Sequence, residues 1–125
     1  METVQNSLTF DTADAAALLD RLDHTELDAL PFGVIRMDRS GTVLYYNSTE
    51  SRYSGLSRER VLGRPFFREV APCSNNHRGA ERYALPDLDE TIEYTFALRM
   101  KPVPVTLRML KPAQAVHTYL LVQWT

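Results

Sequence analysis

The chain opens with apolar residues at helical spacing. Ala15, Leu18, Leu19 and Leu22 share one face of the stretch 13–22, and Thr12 or Asp11 ahead of it offers an N-cap. A second helical turn is expected over 26–30, where Pro31 stops it. The periodicity then changes. Phe32–Met37 reads as a strand, Asp38-Arg39-Ser40-Gly41 as a tight turn with glycine supplying a positive φ, and 42–47 as the returning strand. From Asn47 to Val70 short helical pieces are broken by Gly55, Gly63 and Pro65, one of them capped at Ser57 and ending at Gly63. Residues 75–89 are polar and turn-rich, with a helical turn near 80–85. Three strand-like segments close the chain at 91–100, 103–110 and 117–124, and Pro102 and Pro104 mark an edge or a turn there.

Two strands, a helical insert and three more strands predict an α+β domain. Its five-stranded antiparallel sheet would carry helices on one face, with a pocket between insert and sheet. The 125 residues suffice for one domain with a real core. A net charge of −2 gives no electrostatic case for nucleic acid or an anionic membrane surface, and no apolar run approaches the roughly 20 residues that span a bilayer. The first residues lack the basic-then-apolar pattern of a secretory signal, and one cysteine is all the chain has; both point to the cytoplasm.

That cysteine decides the chemistry. Cys73 follows Pro72 directly and cannot form an internal disulfide. It is a small hydrophobe, a metal ligand, a nucleophile or an attachment point. Zinc is disfavoured, because His77 is the only other nitrogen or sulfur ligand nearby. A thiol hydrolase would need His24, His77 or His117 as base, and none sits in a motif. There is no glycine-rich phosphate loop after a strand. Tyr46, Glu50 and Ser54 are spaced i, i+4, i+8, so a helix from Asn47 places Glu50 and Ser54 on one side with Tyr46 at its start. Spacing alone leaves two readings open: a cluster of hydrogen-bonding groups, or an ordinary solvated face.

Asn47-Ser48-Thr49-Glu50, Gly55-Leu56 and Val61-Leu62-Gly63-Arg64-Pro65-Phe66-Phe67 resemble the core of PAS domains. Leu30-Pro31-Phe32-Gly33, Leu44-Tyr45-Tyr46-Asn47, Phe66-Phe67-Arg68-Glu69-Val70-Ala71-Pro72-Cys73 and Glu93-Tyr94-Thr95-Phe96 resemble the photoactive yellow protein family, in register over nearly the whole chain. The resemblance implies a single PAS domain, with residues 1–29 as an N-terminal helical cap and 30–125 as the core. It also implies a blue-light photoreceptor rather than an enzyme. Its cofactor would be p-coumaric acid, covalently held as a thioester on Cys73 and buried as a phenolate. By the same resemblance Tyr46 and Glu50 hydrogen-bond the phenolate, Ser54 stands where the family usually has threonine and bonds Tyr46, and Phe66, Phe96 and Met100 line the ring. Leu56 occupies a position usually held by arginine, so Arg52, Arg58 and Arg60 become candidates to replace that charge. The implied partners are the small-molecule chromophore and a downstream signalling protein, with the chain a monomer or weak dimer. The competing reading is a chromophore-free PAS interaction or small-ligand domain, in which Cys73 is a buried hydrophobe.

Overall fold

The computed structural model describes residues 8–98 and 101–124. Helix α1 (Ala15–Asp20) starts later than its apolar face suggests. Asp14 stands at its N-cap in a left-handed conformation, φ 56°, without a side-chain cap bond. Thr12 is already spent, accepting from the Thr9 amide at 2.7 Å. Helix α2 runs His24–Asp28, two residues ahead of the expected turn. Its start is fixed by a reciprocal cap: Asp23 accepts from the Glu26 amide at 2.8 Å, and Glu26 accepts from the Asp23 amide at 3.0 Å. Asp-x-x-Glu is legible in sequence as a capping pair, and it outranks the apolar count there.

Five strands follow, β1 (Gly33–Met37), β2 (Val43–Tyr46), β3 (Leu88–Leu98), β4 (Lys101–Lys111) and β5 (Thr118–Trp124). They form one sheet in the order β2-β1-β5-β4-β3, with all pairings antiparallel. Between β2 and β3 lie α3 (Ser48–Ser54), α4 (Arg58–Val61), a π-helical turn (Phe66–Val70) and two 3-10 turns, Pro72–Ser74 and Ala80–Ala84.

Successive strand residues face opposite ways, and both faces are used. Val34, Tyr45, Tyr119 and Leu121 pack with Leu19, Leu27, Leu30 and Phe32 under the N-terminal helices. Ile35, Tyr46, Leu120 and Val122 pack with Val61 and Phe66 under the insert. β5 is buried from Thr118 to Val122, as a central strand covered on both sides must be. The N-terminal segment is tied to the sheet by Arg108, which is 6% exposed. Its guanidinium donates to Asp89 and to the carbonyls of Phe10 and Thr12.

Pro102 and Pro104 lie in β4, which is an interior strand and not the expected edge or turn. They pair with Ala97 and Thr95 of β3, just ahead of Val105, which pairs with Trp124. Proline is tolerated in a strand where the ladder does not call on its N–H. No helix among the described residues is long and apolar enough to cross a membrane.

Candidate functional site

The site is built outward from Asn47, the residue at which β2 becomes α3. Asn47 is wholly buried. Its Oδ1 caps α3 by accepting from the Glu50 amide at 3.0 Å and also accepts from the Val34 amide at 2.9 Å. Its Nδ2 donates to the carbonyls of Leu27 and Phe32 at 2.8 and 3.1 Å. One side chain thus fixes β1, α2 and α3 together.

From that cap, α3 carries Glu50 and Ser54 inward. Tyr46, at the end of β2, donates its phenol proton to Ser54 Oγ at 2.8 Å, and the same oxygen accepts from the Leu56 amide at 3.1 Å. Burial and the nearby Glu50 push the Tyr46 phenol well up, so it remains a neutral donor at ordinary pH. Glu50 is 3% exposed, and its Oε1 accepts from the indole N–H of Trp124 at 2.7 Å. Burial raises its carboxyl to about 8, and the indole bond opposes part of that rise. At neutral pH Glu50 is therefore an acid with its proton on.

Gly33 makes room for it. A Cβ built there would sit 1.9 Å from Glu50 Oε1. Gly33→Ala should fold, because the obstructing atom ends a flexible side chain, but it should lose about 1–3 kcal/mol to overpacking. Urea unfolding is the check. The loss should shrink when Glu50→Asp is added, since the shorter acid vacates the space.

Cys73 sits in the 3-10 turn Pro72–Ser74 and is exposed. Its carbonyl accepts from the Tyr94 hydroxyl at 2.8 Å and from Asn76 Nδ2 at 3.1 Å, which pins this turn to β3. Tyr46, Glu50, Ser54, Leu56, Phe66, Cys73 and Phe96 line one cavity of about 120 Å³, together with Trp124 and small apolar residues. A single water needs only roughly 10–15 Å³ by the same measure, so the space is several waters large. Met100 lies outside the described residues. Cys73 is not a packed hydrophobe, so the inert-filling reading of that residue is corrected.

None of the three candidate arginines lines the cavity. Arg58 donates to the Tyr46 carbonyl and to Asp28, both at 2.8 Å, with its guanidinium 4.4 Å from the Tyr45 ring centre. Arg52 lies over Tyr53, and Arg60 has no place in the wall. Trp124 and Gly33, like Tyr94 and Asn76, have no role that the local sequence assigns; Gly33 and Tyr94 stand out there only as members of the family-like segments 30–33 and 93–96. Only the register of β1 and β5 with the insert brings the first two to Glu50.

The PAS fold family matches residues 21–111. The photoactive yellow protein of Halochromatium salexigens is 36% identical over 110 residues, covering 85% of this chain and 88% of that protein. The photoactive yellow protein of Rhodothalassium salexigens is 32% identical over 106 residues, covering 82% and 85%. Among solved structures, the photoactive yellow protein domain of the sensor histidine kinase Ppr from Rhodospirillum centenum superposes with a TM-score of 0.79 at 39% identity, covering 86% of this chain and 97% of that domain. A five-stranded PAS sheet, these identities and their coverage lead to one assignment: the chain belongs to the photoactive yellow protein family.

Proposed function

We propose that the chain is a blue-light photoreceptor carrying p-coumaric acid as a thioester on Cys73. The observation that carries the reading is a cavity shared by a solvent-reachable thiol, a phenol and a buried acid that keeps its proton at neutral pH. When bound, the coumaroyl group supplies blue-light absorption, a double bond that isomerises from trans to cis, and a phenolate oxygen.

The donor set suits an anion. A phenolate taken out of water is costly unless donors meet it, and charge-assisted hydrogen bonds are about twice as strong as neutral ones. Glu50 donates because burial holds it protonated. Tyr46 becomes a second donor when the hydroxyl pair reverses. Ser54 Oγ already accepts from the Leu56 amide, and its own hydrogen is free to rotate toward Tyr46. Phe66, Phe96 and Leu56 would keep water from the aromatic ring, and the Cys73 amide would be the donor for the thioester carbonyl.

Loss of the Glu50 proton leaves a carboxylate where only 3% of the residue meets solvent. A buried charge without full compensation costs several kcal/mol, against a total stability of about 5–15 for a domain. The strain falls on α3, whose cap residue also holds α2. The N-terminal helices are the segment that loosens and exposes a surface to a downstream signalling protein. The related domain in Ppr belongs to a sensor histidine kinase, which supports a signalling role of this kind.

Reconstitution with an activated p-coumarate tests the reading. Wild-type protein should turn yellow and gain the mass of one coumaroyl group, and Cys73→Ala should do neither. If wild type stays colourless at unchanged mass, the chain is a PAS domain of another ligand and the proposal fails.

A further inference from the structure

Glu50 has two oxygens, and among the described residues only one is engaged. Oε1 accepts from the Trp124 indole at 2.7 Å. An indole N–H can only donate, and a protonated carboxyl has one donating oxygen and one free to accept. Two hydrogens cannot occupy the same short contact. The indole is itself held in place on two sides. Its ring stacks on Tyr53, with centroids 5.6 Å apart and planes 8° apart, and tilts against Phe96 at 5.9 Å. On the strand side, Trp124 is paired with Val105 at the end of β5.

We propose that Trp124 is a positioning residue for the proton of Glu50: its N–H confines that proton to Oε2, and it stays bonded to Oε1 when the acid ionises. The destination of the proton rests on the photoreceptor reading, whereas the pairing itself does not. On ionisation the same contact becomes charge-assisted and strengthens. Trp124 therefore favours the carboxylate over the acid and eases proton release from a site that burial makes reluctant. No ion pair among the described residues includes Glu50. The titratable groups that face it are Tyr46 from β2 and Cys73 across the shared cavity. Gly33, against it from β1, is apolar. The stabilisation of the anion thus depends on a neutral donor from β5.

Trp124 is the chain's single tryptophan, so its emission reports the contact directly. In chromophore-free protein the emission should titrate with a midpoint near 8, following Glu50, and the transition should vanish in Glu50→Gln. In Trp124→Phe the Glu50 midpoint, followed by the carbon-13 signal of its carboxyl, should rise by about one pH unit. Should that variant fail to fold, replacing the tryptophan with benzothienylalanine, an isostere without the N–H, gives the same comparison. A Glu50 midpoint unmoved by removal of the N–H, or an emission transition that persists in Glu50→Gln, overturns the proposal. None of these measurements needs the adduct. Failure of reconstitution therefore sinks the photoreceptor reading alone.

Discussion

Chromophore-free protein should lose stability as pH rises from about 4.5 to about 8, and Glu50→Gln should remove that part of the slope. The sign follows from proton counting. In the unfolded chain Glu50 ionises near its ordinary value of 4.5; in the folded protein it holds its proton to about 8. Below both values the acid is neutral in either state and stability is unaffected. Between them the folded state binds the extra proton, so raising pH favours unfolding, with a limiting slope of roughly 1.4 kcal/mol per pH unit. Above about 8 both states are ionised and the loss levels off. Urea unfolding of both proteins at pH 5, 6, 7 and 8 isolates the contribution, because every other titrating group is common to the pair. Equal slopes would place Glu50 in contact with water. In the reconstituted protein the same substitution should move the absorption band to the red, since an amide is a weaker donor to a phenolate than a carboxylic acid.

Asn47→Ala should be the most damaging single change to the fold, lowering stability by about 3–5 kcal/mol. It would strand the amides of Val34 and Glu50 and the carbonyl of Phe32, and leave the Leu27 carbonyl with only its 3.3 Å bond from the Leu30 amide. A buried group left without its partner costs about 1–3 kcal/mol, and relaxation of α3 recovers some of the sum. Against a total of about 5–15, the variant would be near its unfolding threshold. Thermal and urea melts provide the measurement. A loss below about 1 kcal/mol would mean that Asn47 acts only as an ordinary helix cap.

Much of this was legible before any coordinates. The β-forming residues of 32–37 and 42–47, the Asp38–Gly41 turn between them and the β-rich closing segments yield the sheet, because strand-favouring side chains and turn residues are local signals. Local signals also misled. The apolar face of 13–22 suggests a long helix, yet only Ala15–Asp20 closes helical turns, since Asp14 takes a left-handed conformation. Tyr46, Glu50 and Ser54 were visible as a spacing, but whether they faced solvent or core depended on what lay against α3. That answer comes from β1 and β5, distant in sequence. Trp124 is 74 residues from Glu50, and nothing near it in the chain distinguishes it from a sheet-packing aromatic. Leu56 shows the opposite case. Its departure from the family pattern was plain, while the fate of the neighbouring arginines was not: Arg58 turned to Tyr46 and Asp28 on the strength of hydrogen bonds that no spacing encodes.

The way the insert returns to the sheet has a consequence for assembly. β2 is the outermost strand on its side, yet Val43 already exchanges its amide and its carbonyl with Arg64 and Gly63, both at 2.9 Å. A visiting peptide would find that border occupied by the chain's own loop. Recruitment by sheet extension is thereby directed to the outer side of β3, where the Arg78 guanidinium reaches the Glu93 carbonyl at 2.7 Å and would have to yield first.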